Sequence, residues 1–223
     1  MSPLPRTVVF DLDGTLVDTA PDLTAALNYV LPSVDRGPVT AGAVRMMVGQ
    51  GLRKLIERSL AATGGIPDNA DIESMFHSAF EFYRDHLTDQ SVPFPAAREV
   101  LDYLTNEGVK LGVCTNKPVE LSKTLLRELD LIDYFAAVLG GDSLAVKKPE
   151  AEHLLATLAH MNATTEGAVM IGDSQADIEV ARATEVPVVA VSYGYTMIPV
   201  EELGADAIID HLGDLPETLL QFT

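Results

Sequence analysis

Among 223 residues there is a single cysteine, Cys114, so no internal disulfide can form. It closes an apolar run, Leu111-Gly112-Val113-Cys114, which marks a buried, inert thiol and not a nucleophile. No apolar run approaches the roughly 20 residues that a membrane-spanning helix needs. The opening residues, Met1-Ser2-Pro3-Leu4-Pro5-Arg6, lack the apolar core of a signal peptide and lead straight into strand-forming residues. A soluble cytoplasmic protein is the expectation. Cations are scarce: 15 Lys and Arg stand against 33 Asp and Glu, a formal net charge of −18. That shortage argues against nucleic acid, whose binding relies on clustered Lys and Arg, and equally against an anionic membrane surface. It does not exclude a small anionic ligand, because a few local charges decide that field. His77, His86, His153, His160 and His211 are scattered without ligand spacing, so no metal role is assigned to them. Internal repeats and low-complexity segments are absent.

What remains is an ordinary globular composition, 47% hydrophobic and 22% charged. Short apolar runs recur at Val8-Val9-Phe10, Leu111-Gly112-Val113, Ala136-Ala137-Val138-Leu139, Ala168-Val169-Met170-Ile171 and Val188-Val189-Ala190-Val191. A weaker one, Ala207-Ile208-Ile209, follows. They are continuous and not alternating, as parallel strands covered on both faces must be. Helical segments lie between them. Across 96–107, Ala97, Val100, Leu101 and Leu104 form one apolar stripe, and Gly108 ends it. Leu154, Leu155 and Leu158 repeat the pattern. Alternation of this kind predicts an α/β fold, a doubly wound, mostly parallel sheet with a Rossmann-like core. Residues 18–90 break it and read as helices only. Leu52, Leu55, Ile56 and Leu60 make one stripe, stopped by Gly64-Gly65; Ile72, Met75, Phe76, Ala79, Phe80, Tyr83 and Leu87 make another. The expectation is a core domain of residues 1–17 and 91–223, with a helical cap domain, 18–90, inserted after the first strand. Such an insertion sits over the carboxyl edge of the sheet and can act as a lid.

Polar clusters fall where the strands end. Asp11-Leu-Asp13-Gly14-Thr15 closes the first strand, and a spacing of two places both carboxylates on one side of a pleat. Like charges held so close are costly without a cation between them. A nucleophile paired with an acid/base and an oxygen site for magnesium would account for them; so would a solvated Asp-rich turn. Thr115-Asn116-Lys117 follows the second core strand, with Pro118 suited to a first helical turn. Its neutral donors suit a phosphate, or a helix cap. Lys147-Lys148-Pro149 offers a lysine to offset phosphate and carboxylates, or a solvated loop lysine. In Gly172-Asp173-Ser174-Gln175-Ala176-Asp177, two aspartates are spaced to hold a metal and its waters, or to cap a helix.

Taken together and in this order, the clusters resemble the motifs of the haloacid-dehalogenase-like hydrolase superfamily over essentially the whole chain. The resemblance implies phosphoryl chemistry with Asp11 as nucleophile and Asp13 as general acid/base. It implies that Thr115 and Asn116 bind the transferred phosphoryl group and that Lys148 stabilises nucleophile and phosphate. It implies magnesium as cofactor, held by Asp11, the Asp13 backbone carbonyl and Asp173, with Asp177 supporting through water. Members that act on carbon–halogen or carbon–phosphorus bonds lack an aspartate at the position of Asp13, so a phosphate ester is favoured. A non-catalytic member serving as an interaction module would be expected to lose Asp11, Asp13 or Asp173, and all are present.

Within that superfamily, Val48-Gly49-Gln50-Gly51-Leu52 and the segment Ile198 to Asp206 resemble the phosphoglycolate phosphatases. After Lys148-Pro149 the chain reads Glu150-Ala151, where that group commonly has a further proline. The expected substrate is a small phosphorylated acid, 2-phosphoglycolate foremost. Sugar phosphates, pyrophosphate and a β-phosphoglucomutase-like transfer are alternatives on the same chemistry. Specificity is expected from the helices: Gly49 and Gly51 through backbone amides, Arg53 or Lys54 through a substrate carboxylate. Either cation would equally serve as a solvated residue of an amphipathic helix. A monomer or homodimer is expected.

Overall fold

In the computed structural model, which describes residues 4–222, the apolar runs become one six-stranded parallel sheet. Met1, Ser2, Pro3 and Thr223, part of the expected core domain and of the N-terminal segment, lie outside the described residues. The chain begins with β1 (Thr7–Phe10) and continues through β2 (Val17–Asp18) into α1 (Ala20–Val30), α2 (Ala41–Arg45), α3 (Leu52–Ala62) and α4 (Ile72–Asp85). It returns by β3 (Val92–Pro93) to α5 (Ala97–Asn106), β4 (Lys110–Cys114), α6 (Val119–Glu128) and β5 (Phe135–Leu139). The rest is α7 (Ala151–His160), β6 (Ala168–Gly172), α8 (Gln175–Ala183), β7 (Val188–Val191), α9 (Val200–Leu203), β8 (Ala207–Ile209) and α10 (Leu215–Leu219).

Spatial order in the sheet is β5-β4-β1-β6-β7-β8, with β1 hydrogen-bonded between β4 and β6. Alternate residues of β1 go to opposite faces. Val8 and Phe10 join a core with α5, α6 and α10, while Val9 joins α7 and α8. Both faces are covered, which is why the strands read as continuous apolar runs. The order reverses direction around β1, so the loops leaving β1, β4 and β6 converge beyond its carboxyl end. Cys114, at the end of β4, is fully buried, and burial pushes its thiol up to about 11.

Helices α1 to α4 bury a core of their own, built from Leu23, Leu27, Leu31, Ile56, Leu60 and Ala79. Leu121 and Tyr195, from the sheet-bearing part, close its edge. Entry to and exit from this segment run side by side, as the short strands β2 and β3 pair antiparallel, Val17 with Pro93 and Asp18 with Val92. These strands fall at the edges of a region that reads as helical, and two residues are too few to show an alternation. Asp22, buried in the first turn of α1, accepts hydrogen bonds from the Ser91 backbone N–H at 2.8 Å and the Ser91 hydroxyl at 2.7 Å. Among the described residues, no helix is long and apolar enough to cross a membrane.

Candidate active site

Strand β1 stops at Phe10, so Asp11 and Asp13 are placed by a loop and not by the pleat of a strand. Asp11 N–H donates to the Ile171 carbonyl at 2.8 Å, and the Leu12 carbonyl accepts from the backbone N–H groups of Leu16 and Val17 at 3.1 and 3.0 Å. This tight turn sends the two carboxylates to different lysines. Asp11 Oδ1 faces Lys148 Nζ at 2.9 Å, off the line of a hydrogen bond. Asp13 Oδ1 accepts from Lys117 Nζ at 3.0 Å and the Thr19 hydroxyl at 2.8 Å.

The turn requires glycine at 14. Its φ is +89°, and a Cβ there would lie 2.4 Å from an Asp173 carboxylate oxygen and 2.9 Å from the Tyr195 ring. The close approach at Gly14 is therefore to the site's own acid. Asp173, 1% exposed, accepts from the Thr15 hydroxyl at 2.8 Å and from the Tyr195 backbone N–H. Burial, and then the charges of Asp11 and Asp177, hold its carboxyl well above the usual range. Burial likewise raises Asp11 to about 6 against the pull of Lys148.

Asp177, wholly buried, closes a capping box at the start of α8. One oxygen accepts from the Ser174 N–H at 3.0 Å and the Ser174 hydroxyl at 2.7 Å; the other accepts from Lys148 Nζ at 2.6 Å. Lys148 is 3% exposed. Burial alone would lower its pKa, but Asp11 and Asp177 outweigh that and raise it, so the ammonium is held charged. Asp11, Asp173 and Asp177 bring carboxylate oxygens within 4.8 Å of one another, hard donors of the kind a divalent cation takes.

Thr115 and Asn116 follow β4. The Thr115 hydroxyl accepts from the Lys117 backbone N–H at 3.3 Å, which leaves its own proton free to donate. Asn116 donates its amide to the carbonyls of Lys148 at 3.1 Å and Gly49 at 3.3 Å. Neither side chain caps α6; Asp142 does, accepting from Val119 N–H at 2.8 Å, and Pro118 stands at the N-cap instead of inside the first turn.

Above these groups lies a cavity of about 380 Å³, lined by Asp11, Asp13, Thr115, Lys148 and Asp173 from the sheet edge. The helices supply Leu23, Val48, Leu52, Leu55, Phe76 and Phe80, with the backbone of Gly49 and Gly51. Arg53 also lines it, paired with Glu73 and lying over the Phe76 ring at 5.6 Å. Lys54 does not; it pairs with Glu57 at 2.7 Å outside the cavity. Sequence reasoning assigns no role to Lys117 and Tyr83, and leaves Tyr193-Gly194-Tyr195 between the rim of the site and a structural loop; Tyr195 lines the cavity. Lys117 Nζ donates to the Tyr83 hydroxyl of α4 as well as to Asp13. Tyr195 donates its hydroxyl to Asp18 and accepts from Ala20 N–H at 3.0 Å. The signals were present, in Lys117 within its strand-end cluster and in Tyr193-Gly194-Tyr195 beyond β7, but each partner is distant in sequence.

A family model described as haloacid dehalogenase-like hydrolase matches residues 8–191. A phosphoglycolate phosphatase of Caulobacter vibrioides is 44% identical over 214 residues, 96% of this chain and 90% of that protein. One from Agrobacterium fabrum is 40% identical over 219 residues, 98% of this chain and 94% of that protein. The crystal structure of a predicted phosphoglycolate phosphatase from Haemophilus somnus superposes with a TM-score of 0.89 at 27% identity, covering 98% of this chain and 99% of that one.

Proposed function

The chain belongs to the haloacid dehalogenase-like hydrolase family and is a phosphatase, and on that premise we propose that it hydrolyses 2-phosphoglycolate with magnesium, through a phosphorylated Asp11. The observation that carries this reading is Asp11 set 2.9 Å from a buried, charged Lys148 at the floor of a cavity of about 380 Å³. Residues 1–17 and 91–223 form the catalytic core in this reading, and 18–90 the cap.

A phosphate monoester dianion repels a carboxylate nucleophile, and the Lys148 ammonium offsets part of that repulsion. Asp11 attacks phosphorus as the bond to the leaving oxygen breaks, and Asp13 gives that oxygen a proton. Asp13 then takes a proton from the water that attacks the phosphoryl group, which returns Asp11 as a carboxylate. Thr115 donates its hydroxyl to the phosphoryl oxygens. Asn116 contributes by fixing the Lys148 and Gly49 carbonyls, since its amide hydrogens are aimed at them.

The donor set fits magnesium: three buried carboxylates stand around one lysine, and burial raises the pKa of Asp11 and Asp173, as expected where positive charge is short. Asp11, the Asp13 backbone carbonyl and Asp173 would hold the ion. Asp177 supports by holding Lys148 and the start of α8. When bound, the ion supplies neutralisation of the transferring phosphoryl group. Arg53, alone of the Arg53/Lys54 pair, lines the cavity and would meet the substrate carboxylate.

The test is hydrolysis of 2-phosphoglycolate, sugar phosphates, pyrophosphate and an aryl phosphate, each with magnesium and with chelator. Magnesium-dependent release of phosphate, with 2-phosphoglycolate giving the highest kcat/KM, is the expected result. Preference for a sugar phosphate or pyrophosphate overturns the substrate; activity that survives chelation overturns the cofactor.

A further inference from the structure

Nothing above uses His153, the most deeply buried histidine of the site's surroundings. It sits in the first turn of α7 with no exposed surface. Its Nδ1 accepts from the Lys148 backbone N–H at 3.1 Å, and its Nε2 lies 3.0 Å from the Gly140 carbonyl. A carbonyl only accepts, so Nε2 must carry the proton; an N–H only donates, so Nδ1 must be bare. Both neighbours select the same neutral tautomer. Burial first, and then the Lys148 charge, push the imidazole down to about 4 despite the Gly140 contact, which agrees with a neutral ring.

The far end of this clamp is rigid. A Cβ on Gly140 would come within 2.3 Å of Val119 N and 2.5 Å of the Lys117 carbonyl, so its backbone lies directly against the loop carrying Thr115, Asn116 and Lys117. Gly141 N–H donates to the Lys117 carbonyl at 2.9 Å. Lys148 is therefore gripped on both sides of its main chain. His153 holds its N–H to the β5 end, and Asn116 holds its carbonyl to the β4 end. From this fixed main chain its ammonium reaches Asp11 at 2.9 Å and Asp177 at 2.6 Å.

We propose that His153 is a positioning residue for the phosphatase reaction: it registers the Lys148 backbone against Gly140 so that the ammonium stands at Asp11. This rests on the role given to Lys148 under the proposed function. Displacement of a charged group by about 1 Å can cost on the order of 100-fold in rate.

The experiment is a double-mutant cycle with magnesium and an aryl phosphate as probe substrate. His153→Phe keeps the ring volume and removes the acceptor. It is expected to lower kcat about 10- to 100-fold with KM within about twofold. In a Lys148→Met background the same change should add less than about twofold, because its effect acts through Lys148. His153→Gln, which restores an acceptor and a donor, should recover most of kcat. An undiminished kcat in H153F overturns the proposal, as does a penalty that persists in full beside K148M, the mark of a general packing defect. If H153F does not melt cooperatively, His153→Leu carries the same cycle. A K148M variant with wild-type kcat would instead overturn the role of Lys148 itself, an outcome separable from the loss of His153 alone.

Discussion

The sheet edge and the helices of residues 20–85 face one cavity with opposite materials. The edge supplies charges: Asp11, Asp173, Lys117 and Lys148 are all buried, and each has a named partner. The helices supply an apolar wall, Leu23, Val48, Leu52, Leu55, Phe76 and Phe80, and the charge they bring to the cavity is Arg53, paired with Glu73. Buried charge has to be placed within fractions of an ångström, because an unpartnered ion in low dielectric is expensive. A wall of leucine and phenylalanine carries no such demand and can be resurfaced at modest cost. Under the proposed function, the reaction and the choice of substrate fall to regions under different physical tolerance.

The strongest way to break that contrast is at the edge. Asp11→Asn should lower kcat by at least on the order of 10⁴-fold while the protein still folds, as measured by hydrolysis of an aryl phosphate. Lys148→Met removes the cation between two buried carboxylates. It should cost about 3–5 kcal/mol of stability by denaturant titration, and kcat should fall about 100- to 1,000-fold.

A third test uses pH. The Asp11 carboxyl rises in the fold from 3.8 to about 6, so folding favours its protonated form. That contribution to stability is present below about pH 4 and is lost as pH rises through about 6. In metal-free protein the melting temperature should fall across that window, and D11N should flatten the fall. Magnesium at pH 7, at a hundred times its dissociation constant, should return about 2.7 kcal/mol.

The smallest effects belong to the helices and sharpen the contrast. Arg53→Ala should raise KM for 2-phosphoglycolate about tenfold, leave kcat nearly unchanged and leave an aryl phosphate unaffected. Lys54→Ala, on a side chain outside the cavity, should change neither constant by more than about twofold, nor stability by more than about 0.5 kcal/mol.

Much of this was legible because it is local. Each strand of the six-stranded sheet declared itself as an apolar run, whereas β2 and β3, two residues each, did not. The acids and Lys148 stood at strand ends, where a doubly wound sheet gathers its chemistry. What was not legible depends on distance. Lys117 meets Asp13 across 104 positions and Tyr83 across 34, and no spacing rule reports such pairs. His153 looked like one of five unrelated histidines until the fold brought Gly140 to its other nitrogen. The reading of Asp11 and Asp13 as one face of a pleat missed because β1 ends at Phe10, before either of them, and the turn, not the strand, aims them.

The pairing of Val17 with Pro93 and Asp18 with Val92 has a consequence for how such a protein changes over time. The helical segment leaves and re-enters the sheet-bearing part at adjacent hydrogen-bonded residues, so its removal or exchange would require closing almost no gap. The position has the form of a socket: two adjacent passages of the chain carry the whole helical segment, and the strand order of the sheet lies outside it.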